Sequence, residues 1–75
     1  MDFIMRVKYT NFVGKVRTIE ASKSTLNELS LALSYAGDLQ DKKGYNHVAN
    51  SYWNISYQIH EQLEATGFYD NVSKS

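Results

Sequence analysis

The chain contains no cysteine, and for a polypeptide of 75 residues that absence removes the usual devices for supplementing a thin core. A chain this short buries only about 60% of the surface it exposes when unfolded. Domains below roughly 80 residues commonly lean on disulfides, a structural metal or a partner subunit. Without thiols there is neither a disulfide framework nor a thiolate zinc centre. Close helix packing or oligomerisation remains, so a homodimer is the expectation.

At 43% hydrophobic and 13% aromatic residues the composition is that of a folded domain. No apolar run nears the roughly 18 residues of a membrane span, so no membrane association is expected. Met1 to Met5 carry Asp2 in place of a basic leader region, and the lack of Cys agrees with a reducing, cytoplasmic setting. The Asn, Ser, Lys and Tyr bias suits a bacterial or phage source.

Alternation from Phe3 to Tyr9 places Phe3, Met5, Val7 and Tyr9 on one side of a strand and Ile4, Arg6 and Lys8 on the other. Thr10-Asn11 opens a turn, Gly14 supplies a permissive backbone, and a second strand is predicted over 15–21. Ser24 or Thr25 is the expected N-cap of a first helix, with Thr25 and Glu28 as a capping box. Leu26, Leu29, Ala32, Leu33, Ala36 and Gln40 then share one side, and the helix runs through Gly37 to Lys43 and Gly44. A second helix is predicted from an Asn46 cap to Thr66, with Gly67 ending it and Phe68 folding back toward Leu63. Its main stripe is Val48, Tyr52, Ile55, Ile59 and Leu63, and the short link at Gly44 sets the helices antiparallel. The fold class is therefore α+β, a β-hairpin followed by two antiparallel amphipathic helices (ββαα), one domain over 1–70 with a frayed polar tail at 71–75.

Net charge is zero, yet it is segregated. Residues 1–23 carry Arg6, Lys8, Lys15, Arg17 and Lys23 against Asp2 and Glu20, and the acids dominate thereafter. In the natural register Arg6, Lys8, Lys15 and Arg17 all lie on the side opposite Met5 and Val7. That would form a face for an anion or an acidic partner, or a solvated face that discourages edge aggregation. Off the main helical stripes lie Leu31, Tyr35, Trp53, Tyr57 and His60. Tyr and Trp bury much area with few torsions, which makes this group a candidate interface. The alternative for Trp53 and Tyr57 is packing beneath the chain's own hairpin.

His60 and Glu64 are one turn apart, but no third ligand is identifiable, so no metal and no cofactor is expected. Phosphate-cradling glycine motifs, nucleophile elbows and Cys-His pairs are missing from the sequence. An enzyme is not expected. The leading expectation is a small non-catalytic protein-interaction module, an accessory, regulatory or inhibitor protein that occupies an unidentified partner's surface.

The stretch from Lys15 onward, alternating Lys15, Arg17 and Ile19 and then two helices, resembles the ribbon-helix-helix family of DNA-binding regulators. The resemblance implies a dimer whose paired strands enter the major groove, with Lys15 and Arg17 outward and the Asn46 end of the second helix near phosphate. It covers about fifty residues. The chain departs from the pattern in its additional first strand, its long aromatic second helix and its lack of net positive charge.

With no ion holding the fold, the thermal midpoint should not respond to EDTA. A drop of several degrees on adding chelator would reveal a structural metal.

Overall fold

The computed structural model describes residues 4–73; Phe3 of the expected first strand and the last two residues of the expected tail lie outside them. The elements are β1 (Ile4–Thr10), β2 (Val16–Ser22), α1 (Lys23–Lys42), α2 (Asn46–Glu64) and α3 (Phe68–Ser73). The ββαα order is as expected, with a short third helix added. It takes up residues 71–73, which the sequence suggested were a frayed tail. No described helix is long and apolar enough to cross a membrane.

The hairpin closes on a three-residue loop. Asn11 N–H donates to Lys15 O at 2.9 Å and Gly14 N–H to Asn11 O at 2.9 Å. Asn11 Oδ1 accepts from Val13 N–H (3.1 Å) and Lys15 N–H (2.9 Å). Gly14 completes the loop at φ 82°, a type I turn followed by a left-handed residue.

This closure pairs Met5 with Ala21, Val7 with Ile19 and Tyr9 with Arg17. Paired residues share a face, so Arg17 lies on the Val7 side while Arg6 and Lys8 lie on the opposite one. The expected common face of Arg6, Lys8, Lys15 and Arg17 therefore does not form.

Strand passes into helix at one residue. Ser22 ends β2 and caps α1, its Oγ accepting from Thr25 N–H at 3.2 Å and donating to Thr25 Oγ1 at 2.8 Å. The cap is thus Ser22 and not Ser24 or Thr25. At the far end Tyr45 N–H reaches Gln40 O and Gly44 N–H reaches Asp41 O, both at 3.0 Å. With Gly44 at φ 87° this is a Schellman termination. It leaves Tyr45 at the N-cap position of α2 with no side-chain cap bond, and Asn46 as the first helical residue.

Val7, Leu26, Ile59 and Leu63 are fully buried and form the core. Met5, Ile19, Leu29, Leu33, Ile55 and Tyr69 pack around them. The apolar stripes of both helices thus converge on the hairpin. The contact between the helices is made by smaller groups. Ser56 Oγ donates to Ser30 O at 2.7 Å and Ser30 Oγ to Ser56 O at 3.1 Å, while Gly37 and Ala49 are buried. Ser30 meeting Ser56 and Gly37 meeting Trp53 fixes the helices antiparallel. Val48, assigned to the stripe, is 43% exposed, and Tyr69 instead of Phe68 reaches the core.

Two glutamines join α2 to the hairpin. Gln62 Oε1 accepts from Lys8 N–H (3.0 Å) while its Nε2 donates to Lys8 O (2.7 Å). Gln58 does the same at Thr10, at 2.8 and 3.0 Å. The outer edge of β1 is thereby hydrogen-bonded to side-chain amides in place of another strand.

Replacing Ile59 by Ala should cost about 2–5 kcal/mol in chemical denaturation. Gln62→Glu keeps the acceptor but sets a carboxylate against Lys8 O. We expect a loss of about 1–3 kcal/mol at neutral pH, whereas an unchanged midpoint would mean that the edge contact contributes nothing.

Candidate functional site

The hairpin's outer face presents Ile4, Arg6, Lys8 and Thr10 beside Val16, Thr18 and Glu20. Arg6 Nη2 lies 3.1 Å from Glu20 Oε1, with both side chains more than half exposed. Its charge is locally answered, so among the described residues Lys8 is the one cation of the face with no ion-pair partner. Lys15 sits at the loop end and Arg17 stands against Tyr9 on the other side. The basic candidates are therefore divided between two faces and the loop, and the like-charge pairing that argued for an anion is not built.

The second surface is the side of the helix pair turned away from the hairpin. Tyr57 is two residues from Ile55 and lies across the helix from it. It is 59% exposed, and on α1 Leu31 and Tyr35 are 63% and 66% exposed. Between the helices runs a groove of about 400 Å³ lined by Leu31, Ser34, Trp53, Ser56, Tyr57 and His60, with Ser30 at its floor. Acids lie beside it: Asp38 meets Trp53 and Glu61 and Glu64 act on Tyr57, while exposed Glu28 is one turn from Leu31 on α1. A hydrogen bond to Glu61 raises the Tyr57 phenol above its ordinary pKa, and the charges of Glu61 and, more weakly, Glu64 act in the same direction.

Trp53 is tied to α1. Its indole lies over Gly37, where any Cβ would overlap the ring. Its Nε1–H points to Asp38 Oδ1 (3.1 Å) and Ser34 O (3.3 Å). The ring packs on the chain's own α1 and not under the hairpin, while part of it lines the groove.

His60 is likewise engaged. Its Nδ1 is 3.1 Å from Tyr69 Oη and its Nε2 3.4 Å from Glu64 Oε2, with the two rings 4.6 Å apart. Tyr69 O–H donates a hydrogen bond to Asn27 Oδ1 at 2.8 Å, so its oxygen is left to accept from His60. Burial, aided by the charge of Glu64, raises the Tyr69 phenol and keeps that donor in place. His60 thus pins α3 to the helix pair and contributes only an edge to the groove.

Of the expected interface group, Leu31, Tyr35 and Tyr57 are open. Sequence reasoning missed Gln58, Gln62, Ser30 and Ser56. Their signal was polar residues set at helical spacing within or beside apolar stripes. Among the described residues no three His, Cys, Asp or Glu side chains gather as a metal site. Protein-family models, curated proteins and solved structures give no match to this chain.

Gly37→Ala should lower stability by about 1–3 kcal/mol through overpacking and should shift the Trp53 fluorescence maximum as the indole is displaced. Unchanged emission with wild-type stability would show that the ring is not seated on Gly37.

Proposed function

We propose that this protein is a small non-catalytic interaction module that binds a partner protein through the far side of its helix pair and works as a homodimer. The observation that supports this reading is a groove lined by the exposed Leu31 and Tyr57, with exposed Tyr35 one turn from Leu31 on α1 and the acids Glu28, Asp38, Glu61 and Glu64 nearby. Aromatic anchors inside a polar rim are the usual energetic arrangement of a protein interface. The acidic rim selects a basic partner surface and adds to its rate of encounter. It also repels phosphate, so the face suits a protein and not a duplex. The DNA-binding alternative rests on the hairpin, where Arg6 is already paired with Glu20 and Arg17 lies on the other face from Lys8. Dimerisation accords with the small core and the flat form of the chain. Its radius of gyration is 13.1 Å, against about 11 Å for a compact 75-residue domain. A cytoplasmic, bacterial or phage setting fits the composition.

The test is retention of a partner by the tagged full chain from a lysate of its native host, repeated with a Tyr35→Ala, Tyr57→Ala variant. Loss of these two anchors should weaken retention of the same protein at least tenfold, since interface aromatics commonly contribute 2 kcal/mol or more. Binding that survives both substitutions excludes this face. Recovery of nucleic acid that is lost on Lys8→Ala and Arg17→Ala would replace the reading with the DNA-binding one.

A further inference from the structure

The two edges of the hairpin differ. Lys8 and Thr10 spend both backbone groups on Gln62 and Gln58, so neither bonds to its opposite number on β2. In an antiparallel ladder the pairs Lys8 with Thr18 and Thr10 with Val16 are then the non-bonded ones. By the same alternation the N–H and C=O of Val16, Thr18 and Glu20 point out from the free edge of β2. No hydrogen bond within the described residues takes them up, and the three side chains are exposed. The β1 edge is closed at Lys8 and Thr10 by the chain's own amides, while along β2 all three outward-pointing positions are open and present a row of donors and acceptors.

We propose that the free edge of β2 is the self-association site, where β2 of a second copy adds antiparallel across a two-fold axis at Thr18 to give a four-stranded sheet. This rests on the dimer of the preceding section and specifies its contact. The partner must be an extended main chain, because only that supplies alternating acceptors and donors along such an edge. A second copy fits because the charges of β2 choose one symmetric register. Outward-pointing residues must oppose outward-pointing residues, so the axis passes through a residue and not between two. Centring on Val16 opposes Lys15 and Arg17, and centring on Arg17 or Glu20 opposes each to itself, which like-charge repulsion disfavours. Centring on Ile19 runs Val16 against Ser22, the cap of α1, and Lys15 against Lys23. Centring on Thr18 opposes Thr18 to itself, Val16 to Glu20 and Arg17 to Ile19, with no like charges facing and with every outward group bonded.

The absence of cysteine makes the test clean. In this register the two Thr18 Cα atoms stand about 5.5 Å apart, within disulfide reach, while the two Val16 positions are separated by about 13 Å along the strands. Thr18→Cys should therefore cross-link to a covalent dimer under mild oxidation at tens of micromolar, and Val16→Cys should not. Thr18→Pro removes an outward N–H that the hairpin itself does not use. It should sediment near 8.6 kDa with an unchanged far-ultraviolet circular dichroism spectrum, where the wild type sediments near twice that mass. A wild type of monomer mass at all concentrations overturns both the dimer and the edge. A wild-type dimer in which Thr18→Cys stays uncross-linked, or in which Val16→Cys links equally well, leaves the dimer standing and overturns the edge.

Discussion

The structure depends on two glutamine side chains behaving as a strand. A two-stranded hairpin is marginal in water, and β1 would expose its edge backbone unless something met it. Residues one helical turn apart on α2 rise about 6.0 Å, and alternate residues of a strand rise about 6.6–6.8 Å. The repeats nearly coincide, so Gln62 and Gln58 reach Lys8 and Thr10 in step. A carboxamide carries both a donor and an acceptor, which is what each outward-facing residue of an edge requires. Glutamate could satisfy only one, and asparagine has one methylene fewer with which to cover the distance. The same bonds fix the position of α2 on the sheet, and with it the burial of Ile59 and Leu63 against Val7.

Because the apolar stripes are used on the hairpin, the helices meet through small groups. Ser30 and Ser56 exchange hydroxyl-to-carbonyl bonds at a buried crossing, so their polarity is satisfied in place and no buried side-chain donor or acceptor among the described residues is left without a partner. Gly37 admits the Trp53 ring. Close approach here tilts the bulky residues of the other flanks outward, which is why Leu31, Tyr35 and Tyr57 stand free on a body only 16 Å thick along its shortest axis. The exposed aromatics and the small-residue seam are two results of one packing choice.

Element order, the helix through Gly37 and the core positions Val7, Leu26, Ile59 and Leu63 were legible in the sequence, because each is an apolar period held over several turns or alternations. The basic face was misread, because alternation says which residues of one strand share a face but not how two strands are aligned. That depends on loop length. Asn11 paired with Lys15 across three residues sets Tyr9 against Arg17, and one residue more or fewer would have turned all of β2 over. Ser22 was overlooked as a cap because it also belongs to the strand. Gln58 and Gln62 could be read as surface residues, since nothing local shows that a strand edge lies within reach of their amides.

The charge segregation follows the division between hairpin and helices. Five of the eight cations lie on the hairpin or just after it in sequence, where Arg6 meets Glu20 and Lys8 flanks the closed edge. Lysine near an edge discourages indiscriminate strand pairing. On β2 the positions whose backbone points outward carry Val16, Thr18 and Glu20, with no cation among them, and Arg17 and Glu20 on either side of Thr18 make the symmetric pairings centred on Val16, Arg17 or Glu20 repulsive. The side chains that would block an open edge altogether are therefore placed elsewhere, and those present act on register. Meanwhile the acids around Tyr57 lie on the opposite side of the helix layer. Strand pairing at β2 would leave that face uncovered, so the proposed second copy and the proposed basic partner would not compete for surface.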